Sequence, residues 1–380
     1  MLGKQNKEDL QKGVRMKIGI LTFHCAHNYG AVLQAYALVS FLRNNGYDAE
    51  IIDYRPTSIL ESHGTIPYSR IKKVRSVRGL FSVIRMLLWC ISRYKRSVVF
   101  EEFIENLPLS KNRVDKHTNF LNYDYIFCGS DQIWNTKITK GVDPFYTAQI
   151  KLAGFYISYA ASMELGHLDR AREEEIKSYI YNFKSVSVRE YSLKETIEKI
   201  VAGKKIMQVL DPVFLITTKE WENFAELPLI QEKYILVYQV RRDRRVLNVA
   251  KSYASNHNLQ VVEVTSEAEF AVHRWQYGKM SPYQFVGMFA HAEAVVTTSF
   301  HGTAFSVIFG KPFKTIIFNA PGDGRAIDLL KSLGATESLL NIEDLENCNL
   351  NNWNVPRYTN IDTLRKQSIQ FIENALRKDR

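Results

Sequence analysis

The segment Thr297-Thr298-Ser299-Phe300-His301-Gly302-Thr303 places hydroxyls, an imidazole and a glycine between an apolar run, Ala294 to Thr298, and a stretch of helical periodicity. Where a strand turns into a helix, the first helical N–H groups are unpaired and the positive end of the helix dipole points outward. Such a turn suits an anion, with Ser299, Gly302 and Thr303 as its cradle and Gly302 letting the backbone come close. His301 carries a proton that exchanges near neutral pH, so it is the candidate general acid or base beside that anion. The plainer alternative is a histidine that only caps a helix starting near Thr303. A strand end facing a cleft favours the chemical role.

Three arginines follow other expected strands. Arg189 follows Val186-Ser187-Val188, Arg241 follows a strand ending at Val240, and Arg325 follows the loop Pro321-Gly322-Asp323-Gly324. A guanidinium fork matches the oxygens of phosphate and carboxylate. Gly129-Ser130-Asp131-Gln132-Ile133-Trp134-Asn135 gathers a hydroxyl, a carboxylate, an amide and an indole, the mixture that carbohydrate sites use. Asp131 and Gln132 read as sugar contacts, whereas Trp134 serves equally as ring platform or as core. The loop from His24 to Gly30 matches neither GxGxxG nor the Walker pattern, and its Asn28 and Tyr29 suit hydrogen bonding to and stacking on a sugar. His24 and His27 lack a third ligand. Cys25, Cys90, Cys128 and Cys348 are scattered with no CxxC pair, so no metal is expected and the thiols read as reduced.

These residues need strands to present them. Lys17 to Phe23, Glu50 to Tyr54, Tyr125 to Cys128, Ala153 to Tyr159 and Val186 to Val188 are apolar runs of strand length, with Ala31 to Asn45 and about 169–183 as helices between them. A second series follows: Tyr234 to Val240, Leu259 to Val264, Ala294 to Thr298 and Phe313 to Phe318, separated by helical patterns at 246–257, 281–291 and 303–309. Alternation of this kind predicts an α/β protein with two doubly wound, Rossmann-like domains facing a cleft, spanning 16–200 and 207–345. Residues 361–380 place Leu364, Ile369, Ile372 and Leu376 on one face, a terminal helix docking back on the first domain. A chain of 380 residues, 46% hydrophobic and 24% charged, has the composition of a folded globular protein. Most of its 20 Tyr and 21 Phe belong in two such cores.

The net charge of +10 is concentrated. Nine basic and no acidic residues lie between Arg70 and Arg96, and subtracting these nine leaves +1 for the rest. One patch argues against a nucleic-acid partner, which would need a wider basic face. Interleaved with Leu80, Phe81, Ile84, Leu87, Trp89 and Ile91, the stretch 70–96 suits either peripheral contact with an anionic membrane or a basic helix packed on its own domain. Residues 1–15 lack the apolar core of a signal peptide, which predicts a cytoplasmic protein working at or near the inner membrane face.

Taken together, Asn28-Tyr29-Gly30-Ala31-Val32-Leu33-Gln34-Ala35-Tyr36-Ala37-Leu38, Gly129 to Trp134, Tyr159-Ala160-Ala161-Ser162, Ser187-Val188-Arg189-Glu190, Leu210-Asp211-Pro212 and Ser299-Phe300-His301-Gly302 resemble, in this order, the polysaccharide pyruvyl transferases. The resemblance runs from about Lys17 to Leu333. It implies a GT-B-like architecture and transfer of a pyruvyl group from phosphoenolpyruvate, the co-substrate, to a sugar or lipid-linked oligosaccharide as a ketal, with no metal and no other cofactor. On that reading His301 is the acid or base. Arg189, Arg241, Ser299, Gly302, Thr303 and Arg325 hold the donor, and Asn28, Tyr29, Asp131, Gln132 and Trp134 face the acceptor. Some members carry Arg where this chain has Ser299. The alternatives are a glycosyltransferase using a nucleotide-sugar, which the same architecture would serve, and a non-catalytic glycan-binding protein.

Overall fold

The computed structural model describes residues 15–63, 77–118, 121–164, 170–228, 230–265, 280–345 and 353–377, without the side chains of 62–63, of 77–89 and of Ser92. Among the described residues eleven strands form two parallel sheets, one of six strands in the order β2-β1-β3-β4-β5-β6 and one of five in the order β11-β10-β9-β7-β8. The first contains β1 (Lys17–Leu21), β2 (Asp48–Ile51), β3 (Tyr125–Cys128), β4 (Phe155–Ala161), β5 (Ser185–Val188) and β6 (Ile206–Gln208). The second contains β7 (Tyr234–Gln239), β8 (Gln260–Thr265), β9 (Ala294–Thr297), β10 (Phe313–Ile317) and β11 (Leu339–Asn341). The two-sheet α/β fold expected from the sequence is the fold observed. In each sheet the chain steps to one side and then reverses, between β1 and β3 and again between β7 and β9. The loops after these strands diverge and leave a crevice at their carboxyl ends.

The helices that matter most to the crevice are α1 (Tyr29–Asn44), which follows β1, and two short ones, α2 (Thr57–His63) and α4 (Thr136–Thr139), with the long α3 (Val77–Glu105) between them. Helices α5 (Arg170–Ile180) and α6 (Tyr191–Ile200) complete the first half. The second half carries α7 (Thr218–Phe224), α8 (Arg244–His257), α9 (Pro282–His291), α10 (Phe300–Ile308) and α11 (Gly324–Leu333), and α12 (Ile361–Ala375) ends the described chain. Helix α1 starts where the Asn28 side chain accepts a hydrogen bond from the Ala31 N–H, and 12 of its 16 residues are buried. It can be apolar nearly all round because it lies between layers. The Tyr29 ring stacks on Phe285 of α9 at 4.1 Å and 7°, a contact worth about 0.5–1.5 kcal/mol beyond its area. One buried cluster therefore runs from β1 and α1 into α9, α10 and β7.

Helix α12 returns to the first sheet. Ser368 Oγ accepts from the Leu210 N–H, Phe371 meets Tyr159 of β4, and Arg365 donates to the Leu215 carbonyl. The second strand lies earlier than expected, at Asp48–Ile51 rather than Glu50–Tyr54, because Asp53 leaves the ladder to receive His24, Arg55 and Arg113. Of the basic stretch, 70–76 and the side chains of 77–89 lie outside the described residues. Arg96 is buried, with its guanidinium over the rings of Tyr29 and Phe100, so it faces the core and not a surface. Among the described residues no helix is long and apolar enough to cross a membrane.

Candidate functional site

The crevice between the two sheets encloses about 240 Å³. Its first-sheet wall comes from Phe23, Ala26, Asn28 and Ala31 after β1, from Asp131 and Gln132 after β3, and from Ile59 and Ile138. The opposite wall comes from Val240 after β7, Thr298 to His301 after β9, Thr315 to Ile317 of β10, and Arg325 at the start of α11.

The helix behind His301 starts at Phe300, not near Thr303 as the periodicity suggested. Ser299 is its cap, with its Oγ accepting from the Gly302 N–H at 3.4 Å. His301 therefore stands in the first turn of α10, 7% exposed, rather than in a loop before it. Its Nε2 lies 3.6 Å from Asp211 Oδ2, an ion-pair distance longer than a hydrogen bond, and has no hydrogen-bond partner among the described residues. The rest of the ring rests on Gly30, where a Cβ would come within 2.0 Å of Nδ1. Glycine is required there because the imidazole fills the space of its missing side chain.

Asp211 anchors the site and was not assigned a role from sequence. Its Oδ1 caps the short 3₁₀ turn Pro212–Phe214 by accepting from the Val213 N–H, and its Oδ2 accepts from Arg189 Nη1 at 2.7 Å and Ser130 Oγ at 3.1 Å. Burial pushes this carboxyl up, but His301 and Arg189 outweigh burial and hold it below the usual carboxylate range. Arg189 also donates through Nε to Glu190 at 2.9 Å, and its face lies 4.3 Å over the Phe300 ring. Burial opposes the Arg189 charge, yet Glu190, Asp211 and Asp131 together raise its pKa. Glu190 goes the other way: burial raises it despite Arg189 and the hydrogen bond from Ser162. Arg189 could be read as a strand-end arginine, whereas Glu190 and Asp211-Pro212 were legible only as parts of a family pattern. A buried acid before proline otherwise reads as a turn cap, which Asp211 also is.

Arg325 is half-buried in the crevice wall, and its Nε donates to the Gly322 carbonyl at 3.4 Å. No carboxylate lies within ion-pairing distance of it among the described residues. Burial, and then the neighbouring Arg189, push its pKa down. An anion between Arg325 and the start of α10 would relieve both effects.

Several expected roles are corrected by burial. Tyr29 is fully buried, donates to the Met280 carbonyl at 2.9 Å and cannot stack on a sugar. Trp134 is core: its Nε1 donates to the Tyr146 carbonyl at 3.1 Å and its ring meets Tyr179 and Phe183. Thr303 is fully buried and spends its hydroxyl on the Ser299 carbonyl and Thr315. Gly302 does allow a close approach, but to Thr297 Oγ1, which an added Cβ would meet at 2.1 Å, and not to a ligand. Arg241 is exposed with its guanidinium 4.1 Å over the Phe318 ring, outside the crevice lining. Asn28, Asp131, Gln132, Ser299, His301 and Arg325 do share that lining, and Arg189 reaches it through Asp211 and Phe300. Asp131 has a positive φ of 66° and presents its carboxylate 4.0 Å from Arg189 Nη2, while Gln132 accepts from Asn135. Among the described residues no group of three or more His, Cys, Asp or Glu side chains could hold a metal ion.

Two parallel sheets meeting at their switch points around a buried histidine, an ion-paired acid and an unpaired guanidinium define an α/β protein with a polar, cation-bearing cleft. The profile of the polysaccharide pyruvyl transferase family matches residues 28–316, and the chain belongs to that family. No curated protein matches the chain. Among solved structures it is similar to the UDP-GlcNAc 2-epimerase of Methanocaldococcus jannaschii, at 12% identity and TM-score 0.48 over 94% of this chain and 100% of that one. It is also similar to the UDP-N-acetylglucosamine 2-epimerase from Rickettsia bellii, at 9% identity and TM-score 0.46 over 95% and 97%. The glycosyltransferase SnogD from Streptomyces nogalater is another such structure, at 12% identity and TM-score 0.38 over 95% of both chains.

Proposed function

We propose that the protein transfers the pyruvyl group of phosphoenolpyruvate to two hydroxyls of a sugar in a polysaccharide or glycan precursor, giving a cyclic ketal and inorganic phosphate. The observation that carries this reading, beside family membership, is the Arg325 guanidinium, half-buried and without an ion-paired carboxylate among the described residues, in the wall that also holds His301. A donor with a phosphate and a carboxylate supplies an anionic partner that the Arg325 fork can hold.

In the proposed sequence the His301 imidazolium gives its proton to the methylene carbon of the donor, and the double-bond electrons form the new C–H bond. The neighbouring carbon becomes an oxocarbenium-like centre. A sugar hydroxyl attacks it and returns a proton to the neutral imidazole. Departure of phosphate restores the cationic centre, the second hydroxyl closes the ring, and its proton leaves with the phosphate. The start of α10 and Arg325 stabilise the charge that grows on the leaving phosphate. Asn28, Asp131 and Gln132 meet the acceptor's hydroxyls, and Phe23, Ala26, Ile59 and Ile138 offer an apolar wall to the sugar ring. The chemistry uses phosphoenolpyruvate as co-substrate and no other cofactor.

The test is a donor assay with Arg325→Leu beside the unaltered protein. The unaltered protein releases phosphate from phosphoenolpyruvate only when a sugar acceptor is present, and Arg325→Leu raises the KM for the donor at least tenfold. Acceptor-dependent turnover with an unchanged donor KM in the variant removes Arg325 from the donor site.

A further inference from the structure

We infer that Asp211 is a positioning residue that holds the His301 imidazole with its proton on Nε2, so that Nδ1 is the nitrogen presented to the cleft. The inference rests on His301 being the proton carrier of the proposed reaction, but the geometry is independent of which reaction that is.

Every other contact of the Asp211 carboxylate comes from a donor: the Val213 N–H, the Ser130 hydroxyl and the Arg189 guanidinium. The carboxylate is therefore ionised and accepts throughout. Nε2 of His301, closed off from solvent, faces its Oδ2 at 3.6 Å. A lone pair on Nε2 would point at a lone pair on oxygen with no proton between them, which is repulsive. A proton on Nε2 makes the contact attractive. With Nε2 enclosed, Nδ1 is the only ring nitrogen left to a ligand. Gly30 lets the ring lie this way, because a side chain there would fall on Nδ1, Cε1 and Cγ. Nδ1 then performs both proton transfers at the reacting centre, giving one to the donor's methylene carbon and taking one from the first hydroxyl. Asp211 touches neither substrate.

Substituting Asn for Asp211 keeps the shape but puts an amide N–H₂ toward Nε2 in the orientation that keeps the Val213 bond. The ring answers by moving its proton to Nδ1, and the nitrogen in the cleft loses its lone pair. In a Ser-His-Asp enzyme the corresponding change costs about 10⁴-fold in turnover. Here we expect a loss of about 10³-fold in kcat, little change in the KM of the donor, and a displaced pH profile.

The direct test is the tautomer. Full-length protein labelled with ¹⁵N in its nine histidines is compared with His301→Gln to assign the His301 ring signals. The expected spectrum of the neutral ring has a protonated Nε2 and a bare Nδ1, and Asp211→Asn reverses the two. A proton on Nδ1 in the unaltered protein overturns the inference, as does an unchanged tautomer in a folded Asp211→Asn. If Asp211→Asn does not fold, the spectrum of the unaltered protein decides. The expected tautomer without phosphate release from phosphoenolpyruvate would refute the proposed reaction and leave the role of Asp211 standing.

Discussion

Replacing Gly30 with alanine adds a single methyl group against the His301 ring. The added Cβ would sit 2.0 Å from Nδ1, 2.4 Å from Cε1 and 2.5 Å from Cγ of His301. Carbon and ring atoms in contact stand about 3.5–4.0 Å apart, so the imidazole must retreat by about 1.5 Å. It cannot retreat freely, because Asp211 stands 3.6 Å from its Nε2 edge and limits how far the ring can slide. Misplacing a reacting group by about 1 Å costs about 10²-fold in rate, so kcat should fall about 10²-fold or more. Stability should change far less. Alanine in place of glycine in a helix gains about 0.5–1 kcal/mol, whereas overpacking costs about 1–3 kcal/mol, leaving a net loss of at most about 2.5 kcal/mol. A domain stable by about 5–15 kcal/mol tolerates that. Initial rates of phosphate release and a thermal melt of the same preparation provide the two readouts. A folded variant whose kcat stays within about threefold of the unaltered protein would refute the idea that His301 works from its place on Gly30.

Trp134→Ala should behave in the opposite way: it removes a core side chain 2% exposed, so it should destabilise by about 3–5 kcal/mol in a denaturant titration. The fraction that stays folded should keep the acceptor KM. Acid stability provides a third check. The folded-state pKa of Asp211 is lowered, so its contribution is fully present above the unfolded-state value of about 4 and is lost as pH falls through the lower folded value. Melting temperatures between about pH 3 and 7 should therefore drop less steeply toward acid in Asp211→Asn; an equally steep drop would mean that the carboxylate's pairing contributes nothing. Glu190 works with the opposite sign, because its raised pKa gives a contribution present below about pH 4 and lost as pH rises through the folded value. Glu190→Gln should be at least as stable as the unaltered protein at neutral pH by the same melts.

The strands were largely legible because a parallel strand buried on both faces reads as a short apolar run between polar loops, and Tyr125 to Cys128 has the same ends in sequence and structure. The start of α10 was not, because Phe300 and His301 look like loop residues until Ser299 is seen to cap them. Asn28, Asp131, Gln132 and His301 could be picked out because strand-end loops at switch points are where ligands sit. Tyr29 and Trp134 occupy the same loops, yet their burial is decided by Phe285, Met280 and Tyr146, which no local pattern brings beside them. The pairing of His301 with Gly30 and Asp211 joins three distant segments across two sheets, so it exists only in the folded chain.

The central claim is tested most directly by offering the purified protein phosphoenolpyruvate, a nucleotide-sugar and sugar acceptors in separate reactions and following both phosphate and nucleotide release. The account predicts acceptor-dependent phosphate from phosphoenolpyruvate, a ketal product, and loss of both in His301→Gln. Nucleotide release from the activated sugar, with none of that phosphate, would contradict it.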